Sequence, residues 1–210
     1  MKTLPLLLAL LLFISIRMNA QVDQPKSDDL LSEISADDKA SIALLPDRFL
    51  ISQRIFWGER GLMRNFSRFE LTPEKRQKEL DIRRFMLVSH QVTGFATLAG
   101  MVAQGIVGAK LYKGENVRDL HTALAAGVNI GYFTTAGLSL FAPPKMLNER
   151  KGYSSIKLHK YLAIVHLSSM IATNILAGQL EGNPKLRPYH RAAAFTAFGS
   201  FATAMIVIKF

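Results

Sequence analysis

The 210-residue sequence predicts an all-α integral membrane protein: a four-helix transmembrane bundle behind a cleaved signal peptide and a short helical exported segment. Three observations carry that expectation. Almost half of the residues are hydrophobic (49%) against 20% charged, with a mean hydropathy of +0.16, which is too apolar for an ordinary soluble domain. Four long stretches almost free of charge, Phe85–Ala109, Leu120–Pro144, Tyr161–Leu180 and Ala192–Ile208, each approach the ~20 residues that cross a bilayer core. The chain opens on "MKTLPLLLALLLFISIRMNA", a basic residue, an apolar run and a small residue at Ala20, the layout of a secretory signal.

The elements follow in order. Residues 1–20 form the signal peptide; Arg17 after its apolar run leaves an uncleaved anchor as the alternative. Residues 21–82 form an exported, interfacial segment, polar and acidic up to about residue 40 and then amphipathic. Its stretch "ALLPDRFLISQRIFWGERGLMRNFSRF" reads as short helices on the membrane surface or packed on the spans, with Trp57 suited to the headgroup layer. Thr72-Pro73-Glu74 is a helix start, with a hydroxyl cap, proline in the first turn and an early acid. That helix runs without a break into the first span, with Arg83 and Arg84 at the membrane edge. Residues 83–210 form the four-helix transmembrane domain. Backbone groups in lipid must pair internally, so its spans are helices. Their Gly, Ala, Ser and Thr content suits close packing, and Pro143-Pro144 closes the second span.

Charge and composition exclude much. The net charge of +10 collects in the apolar half: residues 83–210 hold fourteen Lys and Arg against four acids, while residues 21–82 hold ten against twelve. Basic groups flanking spans meet lipid phosphate, so membrane lipid is the expected partner and nucleic acid is not. Cysteine is absent, which removes disulfides, iron–sulfur clusters, thiolate zinc and thioether-linked haem. The spans hold no Asp or Glu, against proton relays and carboxylate-bridged metal pairs. Metallohydrolase, nucleophile-elbow and phosphate-loop motifs are missing.

The chain also repeats itself. A gapless shift of 69 residues lays His90 on His159, Met101 on Met170, His121 on His190, Ala123 on Ala192 and Thr134 on Thr203. A two-helix unit is used twice.

All five histidines lie in this half: His90, His121, His159, His166 and His190. One stands near the start of each span, and the third span has a second. Consecutive spans run in opposite directions, which pairs His90 with His159 near one surface and His121 with His190 near the other, about 25 Å away. Two imidazoles projecting from facing helices are what a six-coordinate, non-covalently held haem b requires. The face below His90 carries Gly94, Thr97, Met101, Gln104 or Gly105, and Gly108; that below His121 carries Ala125, Val128 or Asn129, and Tyr132; that below His190 carries Ala194, Ala197 and Phe201. Basic residues beside the histidines, Lys160 and Arg191 among them, stand where carboxylates of a cofactor would emerge. His166, about 10 Å deeper than His159 on one face, is either a pocket neighbour or the ligand in place of His159. The equal spacing of His90–His121 and His159–His190 favours His159. The bland alternative is a non-haem scaffold or assembly protein with its histidines in the headgroup layer.

With "SHQVTG", "LHKYL" and "YHRAA" carrying the histidines, residues 85–210 resemble the core of cytochrome b561-type membrane proteins. The resemblance implies two haem b groups and electron transfer across the bilayer between carriers on opposite sides. The chain lacks two flanking helices of that pattern and any recognisable ascorbate-binding sequence, which leaves the donor, soluble or quinone, open. Cytochrome b subunits of larger quinone-linked complexes share the ligand geometry and would bring a partner subunit. Lys and Arg divide evenly between the two sides of the spans, so the signal sets the orientation: N-terminus outside, in a bacterial inner membrane.

Overall fold

The computed structural model describes residues 43–146 and 154–209. The signal peptide and the acidic stretch up to residue 40 lie outside the described residues. The described residues form five α-helices and three 3₁₀ turns and no strand: α1 (Ile51–Trp57), α2 (Pro73–Tyr112), α3 (Arg118–Leu140), α4 (Ser155–Gln179) and α5 (Arg187–Lys209).

Helix α2 is 40 residues long, about 60 Å at 1.5 Å per residue, twice the hydrocarbon thickness of a bilayer. Its first turns therefore stand outside the membrane. Thr72 caps it by accepting from the Lys75 amide at 3.4 Å, with Pro73 in the first turn and Glu74 close by. The helix passes through Arg83 without a break, as the sequence predicts. Gly114, at φ 91°, supplies the left-handed residue that turns the chain into α3. Ser154 caps α4 through the Lys157 amide at 3.2 Å. A 3₁₀ turn, Pro184–Leu186, leads into α5.

Four of these helices are long and apolar enough to cross a membrane. Large apolar residues such as Val92, Phe95, Ile130, Ile164, Ile171 and Phe195 are exposed along them. Side chains of this kind belong against lipid rather than water, and the protein is an integral membrane protein. Helices α2 and α3 form one antiparallel hairpin and α4 and α5 a second, with α2 also packing on α5. Between them lies a small core of Met101, Val128, Tyr132, Met170, Ala197 and Phe201.

That core obeys the repeat. The 69-residue shift carries Met101 onto Met170, Val128 onto Ala197, Tyr132 onto Phe201 and Thr135 onto Ala204, and every one of these residues is buried. The faces read from the sequence below His90, His121 and His190 do turn inward at Gly94, Thr97, Met101, Val128, Tyr132, Ala197 and Phe201.

Two local expectations change. The second span ends at Leu140, ahead of Pro143-Pro144. Residues 141–144 instead run on as non-helical chain, and the segment 43–83 takes up their carbonyls. Ser52 Oγ donates to Leu140 O at 2.6 Å, Trp57 Nε1 to Phe141 O at 2.9 Å and Arg83 Nη1 to Pro143 O at 2.6 Å. Arg76 Nη2 donates to Pro144 O. The last carbonyls of a helix have no partner within it, and proline brings no N–H to prolong the ladder, so donors must come from elsewhere. Trp57 is the second change. Expected in the headgroup layer, it is 5% exposed, edge-on to Phe69 at 5.4 Å, a pillar of this cap rather than a lipid anchor. The other short elements of residues 43–72 pack on the end of the long helices, one of the two placements expected for them.

Candidate functional site

Antiparallel pairing brings the histidines together in two layers. His90 on α2 and His159 on α4 belong to different hairpins, and their rings meet with centroids 6.2 Å apart and planes at 84°. Each is fixed by the neighbouring helix of its own hairpin. His90 Nδ1 lies 2.8 Å from Thr135 O and His159 Nδ1 lies 2.9 Å from Ala204 O. The repeat is visible here as chemistry, because each bond spans 45 residues and the shift of 69 carries one onto the other.

A carbonyl can only accept, so both Nδ1 atoms carry the proton. In a neutral imidazole that leaves the lone pair on Nε2, the state in which histidine binds a metal, with the second nitrogen's hydrogen bond setting tautomer and ring orientation. Two imidazoles bound through Nε2 to one metal at about 2 Å hold their centroids about 6 Å apart, which is the separation found. The donor set fits a bis-imidazole iron porphyrin, where the macrocycle supplies four ligands and the protein two. No group of three or more His, Cys, Asp or Glu converges among the described residues.

At the opposite end His121 and His190 lie near enough to interact electrostatically. His190 Nδ1 is 3.0 Å from Thr173 O, again a backbone carbonyl. His121 differs: the Gln104 amide nitrogen sits 3.2 Å from its Nδ1 and 3.3 Å from its Nε2. His121 meets α2 at Gln104 and Gly108, about four to five turns below His90, which sets the layers about 25 Å apart. Gly108 makes room for the ring, since a Cβ there would fall 3.1 Å from His121 Cε1.

His166 belongs to neither layer. It is 9% exposed, and its Nδ1 is 2.5 Å from the Tyr132 hydroxyl. The Phe201 ring packs edge-on against it at 5.1 Å. Of the two histidines weighed for His90's partner, His159 presents its ring to His90, whereas His166 is engaged within the core. Under the repeat His166 falls on Thr97 and Tyr132 on Phe201, so the mirror pair has no phenol. Thr97 Oγ1 is accordingly buried without a partner. Replacing Tyr132 by Phe, the residue already present at its counterpart, keeps the shape but strands a buried imidazole nitrogen. The expected loss is about 1–3 kcal/mol, read by reversible unfolding in mixed micelles. Unchanged stability would show that this bond is not a structural tie.

The basic residues occupy the ends. Lys160, beside His159, is exposed. Arg191, beside His190, is exposed and lies over the rings of Tyr112 at 4.5 Å and Phe195 at 5.4 Å. Sequence reasoning had no signal for the carbonyls that orient the histidines, because a backbone acceptor has no letter of its own. Gln104 was visible on the correct face but not as a neighbour of His121.

The described residues define an all-α membrane protein with four helices long and apolar enough to span, each carrying a histidine. Comparison with family models, curated proteins and solved structures returns no match for this chain. The likeness to cytochrome b561-type proteins therefore rests on the histidine pattern alone.

Proposed function

We propose that this protein is a cytochrome b561-like transmembrane electron carrier that holds two haem b groups, one between His90 and His159 and one between His121 and His190. The single observation that carries this reading is the His90–His159 pair. Its rings stand at 6.2 Å from separate hairpins, each with Nδ1 committed to a carbonyl. When bound, haem supplies reversible one-electron chemistry at iron. The residues of the chain ligate through Nε2, fix the imidazole planes and keep water out with the core of Met101, Met170, Tyr132 and Phe201. Lys160 and Arg191 stand where carboxylates at the edge of each site would need a cation. With its signal removed, the chain has its N-terminus outside a bacterial inner membrane and the His90/His159 layer facing that side. Its carriers are a soluble or quinone donor and acceptor, or a partner redox subunit.

The test is a reduced-minus-oxidised spectrum of the full chain purified from a haem-replete host, with haem counted against protein. A b-type band with two haems per chain is the expected result. Haem-free, folded protein would overturn the reading and leave a membrane scaffold.

A further inference from the structure

Three of the four paired histidines take their orientation from a backbone carbonyl; His121 does not. The repeat says what should stand there. His190 is held by Thr173 O, 17 residues before it, and the residue 17 before His121 is Gln104. The side chain of Gln104 reaches the imidazole at that place, its amide nitrogen almost equidistant from both ring nitrogens at 3.2 and 3.3 Å. A neutral imidazole presents one lone pair and one N–H, so an amide nitrogen beside both ring nitrogens leaves the N–H without an acceptor. The amide oxygen of Gln104, meanwhile, is buried with no hydrogen-bond partner. A buried acceptor without a donor and an imidazole N–H without an acceptor, on adjoining side chains, satisfy each other when the amide turns. Gly108, one helical turn away on the same face of α2, makes the notch that brings the ring within reach.

We propose that Gln104 is the positioning residue of His121, its amide oxygen accepting the Nδ1 proton in place of the backbone carbonyl used at His190. The proposal rests on the reading of His121 as a ligand. It makes the two layers unlike. Three histidines are oriented by groups that no substitution removes, and the fourth by a side chain that one substitution can. The acceptor on Nδ1 governs how strongly Nε2 donates to a metal, so Gln104 sets the properties of the His121/His190 site alone.

The experiment uses the full chain in lipid bilayers, with ¹⁵N spectra of its histidines and His121 assigned against H121Q. The expected result is a His121 Nδ1 that bears the proton and whose resonance moves in Q104L and Q104E, in opposite directions, while the other four histidines keep theirs. In the haem-loaded chain the same variants move one midpoint potential, upward for Q104L and downward for Q104E, and leave the other in place. General damage to packing would move both variants the same way. An unprotonated Nδ1, resonances unchanged by both variants, or both potentials shifting together would overturn the proposal. The spectra can be read on a haem-free chain as well, so absence of haem would refute the proposed function without deciding the role of Gln104.

Discussion

Leucine in place of His90 should leave the protein with one haem instead of two, and leucine in place of His159 should remove the same one. The reason is geometric. These two rings face each other across the hairpins at 6.2 Å, while His121 and His190 lie within electrostatic reach of each other at the far end of the bundle. On the proposed function, a haem that lost one of its two histidine ligands would lose half of what ties it to the chain. The expected change is therefore a fall of about half in haem per chain rather than a broadened band. H121L and H190L should make the complementary half disappear. The two populations should differ in midpoint potential, since of the four paired histidines only His121 lacks a backbone carbonyl on its Nδ1. H166L should retain both haems, because His166 is tied to Tyr132 within the core. Haem counting with redox titration of the five variants checks the whole set. Loss of the same haem from H90L and H121L would break the topology on which the pairing stands.

The histidine layers were legible in the sequence because an imidazole in an apolar run is conspicuous and the 69-residue register could be counted. The architecture was legible for the same reason that membrane proteins generally are: length and hydropathy fix the spans. What remained hidden lies one step further out. Thr135 and Ala204 play the same part for His90 and His159 although their side chains differ; only the carbonyl matters, and any residue brings one. The repeat spacing favoured His159 over His166, but the tie that engages His166 in the core, Tyr132, sits on a different hairpin and is joined to it by no local pattern. In "PEKRQKEL" nothing sets one charged residue apart from the next, and charge in a short run normally faces water. Its Glu79 is instead wholly buried, and the partner that explains this, Arg64, lies 15 residues earlier in a 3₁₀ turn. Proline-rich residues after α3 looked like a helix stop and proved to be a docking strip for arginines.

Glu79→Ala should release that cap while the spans stay folded. Glu79 is 0% exposed and bridges two guanidinium groups, Arg64 and Arg76, whose side chains are 9% and 1% exposed. The remaining donors of Arg64 are already spent, and Arg76 has others engaged with backbone carbonyls. Arg64 gives to Gly58 O, Phe69 O and Trp57 O, and Arg76 gives to Leu44 O and Pro144 O. Removing the carboxylate leaves two buried cations facing each other with no counter-charge, a loss of about 3–5 kcal/mol for a broken buried pair. The spans do not share it, because their helices are held by lipid and by their own backbone bonds. The cap has only its docking on residues 140–144 to oppose it. Amide exchange in bilayer discs should accordingly speed up by about 10²–10³-fold across α1 and the 3₁₀ turns Leu62–Asn65 and Ser67–Phe69, with α3 to α5 unchanged. Glu79→Gln, which keeps shape and acceptor but not charge, should fall between wild type and alanine. Equal exchange in all three proteins would mean that the charge cluster is incidental and that apolar contacts such as Trp57 against Phe69 hold the cap unaided.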